Sequence, residues 1–77
     1  MVAAEMIPVH NRLRSFRQAR GFAIYGLAVL AQCSPTTIGA VERWDYKPTL
    51  PVRTRLAQAL GVALSDIWPE GAPEMAT

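Results

Sequence analysis

The chain is short of most residues that do chemistry. It has one cysteine, Cys33, and one histidine, His10, among 77 residues. A single thiol cannot close an internal disulfide, and no His/Cys cluster has metal-ligand spacing. There is no Ser/His/Asp or Cys/His arrangement, no paired carboxylates and no glycine-rich phosphate loop, so nothing points to an enzyme, a metal or a cofactor. Long apolar runs are missing too. The longest, residues 24–31, is interrupted by Gly26 and is too short to span a bilayer. The N-terminus lacks a basic region followed by an apolar stretch, so no secretion signal is read and a cytoplasmic protein without membrane attachment is expected.

What is present is apolar and basic. Hydrophobic residues make up 51% of the chain, enough for a core and against disorder. A chain this short buries only about 60% of its unfolded surface, so its helices must pack well. The overall charge of +2 is unevenly placed. Between Arg12 and Trp68 lie all eight basic residues but only three acids, Glu42, Asp45 and Asp66, a balance of +5. A basic body suits a polyanion, although it also suits plain solubility.

Periodicity divides residues 9–69 into five short helices flanked by an arm (1–8) and a disordered tail (70–77). Val9, Leu13 and Phe16 are spaced four and three, with Arg12, Arg14, Arg17 and Arg20 between them. This predicts an amphipathic helix from Val9 with a basic outer face, ended by Gly21. A second helix, from Ala23 or Ile24 to Gln32, is apolar nearly all round. Ser34 is an N-cap and Pro35 suits the first position of a third helix, which runs to Arg43 or Trp44. Ile38 and Val41 lie on one face of it, and Thr36, Thr37, Gly39, Ala40 and Arg43 on the other. A loop over 44–50 contains the breaker Pro48. A fourth helix, 51–60, turns Val52, Leu56, Ala59 and Leu60 inward and stops at Gly61. A fifth is signalled by residues 64–68. The result is a compact all-α domain.

Five motifs in register carry a resemblance: Arg12-Leu13-x-x-x-Arg17-x-Ala19-Arg20-Gly21-Phe22, Leu27-Ala28-x-x-Ala31, Ser34-x-x-Thr37-Ile38-x-x-Val41-Glu42, Lys47-Pro48-Thr49-Leu50 and Leu56-Ala57-x-Ala59-Leu60-Gly61-Val62. Over residues 11–69 the chain resembles the lambda-repressor/Cro-type (XRE) helix-turn-helix family. The resemblance implies a five-helix domain that binds operator DNA, commonly as a symmetric dimer, with its third helix in the major groove. It also implies that Arg17 and Glu42 pair between helices 1 and 3, that Ala28 is small where the recognition helix crosses, and that Cys33 holds a core position usually given to Val.

The chain departs from this pattern at four places. Ile24 stands where a phosphate-gripping Gln is common, leaving that contact to backbone amides or losing it. Gln32 replaces the turn Gly, at a cost of about 1 kcal/mol if it stays left-handed. Trp44 replaces another frequent Gly. The outward face of the recognition helix, with Pro35, Thr36, Thr37, Gly39 and Ala40, lacks long polar side chains. Arg43 is its one long donor, so direct readout is expected to rest on Arg43, thymine-methyl contacts and DNA shape.

Tyr46, Lys47 and Arg43 around the following loop are expected to hold phosphates. Trp44 is read as core cover in preference to stacking, Trp68 as a core cap and His10 as a surface residue. Tyr25, Val29 and Leu30 make an apolar strip on helix 2, at positions often charged in the family. It suits another copy, a second protein, or the arm folding back with Met6 and Ile7. The function that follows is a sequence-specific, repressor-like DNA-binding regulator, dimeric on a palindromic operator, that controls a phage or mobile element or represses its own operon as an antitoxin. The alternative is a protein-interaction or antitoxin-type module working through helix 2.

Overall fold

A computed structural model describes residues 9–69. They form five helices: α1 (Leu13–Ala19), α2 (Ile24–Ala31), α3 (Pro35–Trp44), α4 (Leu50–Leu60) and α5 (Leu64–Ile67). The expected arm and tail lie outside the described residues. No single described helix is long and apolar enough to cross a membrane.

The core takes one stripe from each helix. Leu13, Leu27, Ala31, Ile38, Val41, Leu56 and Ile67 are fully buried, and Ala28, Ala57, Leu60 and Trp68 nearly so. Ala28 and Ala57 are small where helices meet, so neighbouring backbones approach closely. Cys33 is half-buried against this core, and burial pushes its thiol pKa up despite the nearby charge of Arg55. The Trp68 ring caps the core as expected, and its buried indole Nε1 has no hydrogen-bond partner among the described residues.

Left-handed residues stop four of the helices, α3 among them at Asp45. At Gly21 (φ 73°) the amide of Phe22 returns to the Arg17 carbonyl, and at Gly61 (φ 72°) that of Val62 returns to Ala57. Gln32 makes the same turn without glycine's freedom, with φ 57° and ψ 46°, and Cys33 donates to the Ala28 carbonyl. The chain then bends by 115° from α2 into α3, within the range of a helix-turn-helix pair.

Two boundaries differ from the sequence reading. α1 begins at Leu13 rather than Val9, which is exposed outside the helix. The reason is Asn11. Its Oδ1 accepts the Leu13 amide at 3.0 Å, while the neighbouring Arg12 amide donates to the Ile67 carbonyl at 2.9 Å. The chain is thereby tied to α5 and cannot continue as a helix toward Val9. α4 begins one residue early, at Leu50, because Thr49 already has the extended backbone of an N-cap and Pro51 tolerates the first turn.

Candidate nucleic-acid interface

α3 is fixed at its start, middle and end by residues on three sides. At its start, Ser34 Oγ accepts the Thr37 amide at 3.0 Å, and the Ser34 and Thr37 hydroxyls lie 2.9 Å apart. Thr37, expected on the reading face, thus has its hydroxyl engaged in the cap. In the middle, Ile38 and Val41 are fully buried, each worth about 1.5–3 kcal/mol. Beside them Glu42 accepts Arg17 Nε at 2.6 Å and Nη2 at 3.0 Å, while Arg17 Nη1 donates to the Phe22 carbonyl at 2.7 Å. The hydrogen bonds to Glu42 push the Arg17 pKa above its ordinary value against the opposing effect of burial. At the end, Asp45 turns left-handed (φ 59°), and Asn11 Nδ2 donates both to the Val41 carbonyl at 2.9 Å and to Asp45 Oδ1 at 2.8 Å. Asn11 was not singled out in the sequence. Its partners on α3 are thirty and thirty-four residues away, and its composition signal is no stronger than that of any turn residue.

The outward face of α3 is left open. Thr36 and Arg43 are exposed, and Gly39 and Ala40 are half-buried. A cleft of about 410 Å³ lies against them, walled on the α2 side by Ile24 and Tyr25. On the α3 side it is lined by Pro35, Thr36, Gly39 and Ala40, with Arg43 and Trp44 toward the C-terminal end. Trp44 therefore does not cover the core: it is 54% exposed and forms a wall of this cleft. Helical geometry explains the correction. Seven residues after Ile38, the inward line reaches Asp45, and Trp44 falls well to its side. Gly39 has no protein atom within 4 Å of where a Cβ would stand, so packing does not require a glycine there.

The basic residues divide into two sets. Arg20 Nε donates to the carbonyl of Leu60, the last residue of α4, at 2.6 Å, and its guanidinium lies over the Phe16 ring. Arg55 Nε does the same for Ala31, the last residue of α2, at 2.9 Å. Arg53 Nε donates to the Pro48 carbonyl at 2.9 Å. With the buried Arg17, four of the eight basic residues hold protein carbonyls. Helix C-termini carry unpaired carbonyls and partial negative charge, which suits guanidinium donors. The expected all-basic face of α1 is thus corrected: Arg17 is inside and Arg20 is bound to α4.

Arg43, Tyr46 and Lys47 are all exposed around the α3–α4 loop, and the Tyr46 amide is taken by the Ala40 carbonyl at 3.3 Å. Across the molecule's surface, Tyr25, Val29 and Leu30 are 74%, 76% and 54% exposed. Tyr25 belongs both to that strip and to the cleft wall. Among the described residues no group of three or more His, Cys, Asp or Glu could hold a metal ion.

A family model described as a helix-turn-helix domain matches residues 11–67. The crystal structure of the restriction-modification controller protein C.AhdI from Aeromonas hydrophila is similar at 33% identity and a TM-score of 0.67, covering 71% of this chain and 83% of that one. The clp gene regulator ClgR from Corynebacterium glutamicum is similar at 31% identity and a TM-score of 0.68, covering 83% of this chain and 68% of that one. Curated protein sequences give no match. The five-helix order, the bend between α2 and α3 and these likenesses agree: the chain belongs to the helix-turn-helix family, in its lambda-repressor/Cro-type form.

Proposed function

We propose that α3 enters the major groove with Thr36, Gly39, Ala40 and Arg43 toward the base edges, and that two copies bind a palindromic operator. The protein is a DNA-binding transcription regulator. The observation that carries the docking proposal is the asymmetry of α3: one face is buried and clasped, and the opposite face lines an open cleft beside an exposed arginine. Pro35 and Ile24 line that cleft, and in this docking the first amides of α2 are placed to hold a phosphate. Tyr46 and Lys47 extend the phosphate contacts past the C-terminal end of α3. One copy offers few base contacts, so a dimer supplies the affinity a regulator needs. The two similar solved proteins are themselves a restriction-modification controller and a gene regulator, which supports the same kind of role here. The chain acts in the cytoplasm, as a binding protein and without catalysis or cofactor.

Fluorescence anisotropy against mixed duplex DNA at two salt concentrations tests this. Expected is micromolar binding that weakens steeply with salt as phosphate counterions are released. Arg43→Ala and Lys47→Ala should each weaken it, and unchanged binding in both would remove the DNA face from this side of the molecule. A second reading is favoured by one observation, the exposure of Tyr25, Val29 and Leu30. That strip serves as a contact for a second copy or for a protein partner, as in an antitoxin. If no DNA binds at low salt while Val29→Glu breaks up an oligomer, this reading replaces the first.

A further inference from the structure

We infer that the apolar face of α2 is a homodimer contact in which two copies pack α2 against α2, antiparallel, about a two-fold axis through the middle of the helix. The inference rests on the second reading above, that this strip is a contact surface, and names its occupant and register.

The face is fixed by what lies behind it. Leu27, Ala28 and Ala31 are buried in the core, which leaves Tyr25, Gly26, Val29 and Leu30 exposed outward. α2 is the one described helix without a charged residue. The body around it is basic, with a balance of +5 between Arg12 and Trp68. Two copies of one basic body repel each other wherever arginines face arginines. On α2 they meet without opposed like charges. Arg43, across the cleft from Tyr25, and Arg55, bound to the last carbonyl of α2, stand at its edges. An apolar centre with a polar rim is the ordinary anatomy of a protein contact.

The order of the four outward residues identifies the partner. Gly26 and Val29, three apart, form the middle of the face, with Tyr25 and Leu30 on its flanks. In an isologous pair, residue i meets residue j and j meets i. A two-fold axis through the midpoint of Ile24–Ala31, between Leu27 and Ala28, brings Gly26 level with Val29 of the second copy and Tyr25 level with Leu30. Gly26 is then the hole and Val29 the knob, twice over. Packing within one copy gives no other reason for Gly26. No protein atom lies within 4 Å of where its Cβ would stand, it is not among the positive-φ glycines, and a glycine inside a helix is disfavoured relative to alanine. Bare backbone at the centre of an apolar face lets a second helix come close. Cover by residues 1–8, or by an unlike protein, gives no reason for small to match large about the helix's own midpoint.

Sedimentation equilibrium of the full chain over roughly 10–500 µM, a range suited to a small contact, should show monomer passing to dimer. Val29→Glu, at an exposed position, should weaken the dimer about a hundred-fold or more, because each carboxylate is buried without a partner. Gly26→Leu fills the hole and should weaken it about ten-fold or more. Gly26→Ala should weaken it less, yet raise the thermal midpoint at dilutions where the parent is monomeric. For the register, Gly26→Cys and Val29→Cys chains, both in a Cys33→Ala background, are mixed and oxidised. The mixed cross-link should predominate, whereas a parallel pair would cross-link Gly26→Cys chains to one another. A parent chain that stays monomeric at every concentration overturns the inference, and the strip then belongs to the arm or to an unlike protein. A dimer that Val29→Glu leaves intact lies elsewhere, and the contact reading of the strip falls with it. A dimer lost in Val29→Glu but indifferent to Gly26→Leu, with cross-links only between like positions, keeps the strip as a contact and overturns the antiparallel pairing.

Discussion

The two faces of α3 are built by opposite rules. Inward, every position is filled: Ile38 and Val41 are fully buried, Glu42 is locked to Arg17, and the helix end is tied to Asn11. Outward, the side chains from Pro35 to Ala40 are small, and only Arg43 and Trp44 at the C-terminal end are large, both lining the cleft. Orientation is thus specified by many contacts, and under the proposed docking recognition rests on few. A weakly decorated reading helix is useful only if it is presented rigidly, because a few contacts cannot correct a misplaced helix. Substitutions on the two faces should therefore separate into stability effects and affinity effects.

The largest effect is expected inward. Glu42→Ala leaves the Arg17 guanidinium buried without its carboxylate, and breaking such a pair costs about 3–5 kcal/mol. Urea denaturation should show the midpoint collapsing, with DNA binding lost in proportion to the unfolded fraction. A change under 1 kcal/mol would mean that water substitutes for the carboxylate and that the clasp is not structural. Asn11→Ala comes next. It removes the donor to Val41 and Asp45 and the acceptor for Leu13, three bonds that together are expected to be worth about 3 kcal/mol. Unlike Glu42→Ala, it should also loosen the end of α3, seen as faster amide exchange at Tyr46.

Outward, Arg43→Ala should leave the unfolding free energy within about 0.5 kcal/mol of the parent while weakening operator binding ten-fold or more, as expected for a lost bidentate base contact. If stability falls as well, the two faces are not independent. The smallest effect belongs to neither face. Gln32→Gly relieves the left-handed turn between α2 and α3 and should raise stability by up to about 1 kcal/mol, with affinity unchanged. A fall in stability would show that the Gln32 side chain contributes more than its backbone costs.

The inward half of this design was largely legible in the sequence. Ile38, Val41, Leu27 and Leu56 announce themselves by helical spacing, and Gly21, Gly61 and Ser34 by the backbone chemistry of helix ends. What sequence spacing does not reveal is which distant partner a polar side chain finds. Arg20 reads as one more surface charge until it meets the Leu60 carbonyl, forty residues away, and Asn11 reads as a turn residue until it meets Val41, thirty away. Trp44 was misplaced for a related reason. An indole has a strong prior for burial, but its angular position on α3 puts it beside the cleft. The outward positions of α3 follow from helical spacing, whereas the cleft they form with Ile24 and Tyr25 depends on the bend between α2 and α3.

The clasped inward face of α3 also has a meaning for engineering. Its start is set by Ser34, its middle by Arg17 and its end by Asn11, all outside the helix. The positions that look outward, Thr36, Gly39, Ala40, Arg43 and Trp44, contribute nothing to the buried core. Under the proposed docking they form a rewritable cassette: a library varied at these five sites keeps one pose, so differences in the operators it selects can be assigned to side chains rather than to a shifted helix.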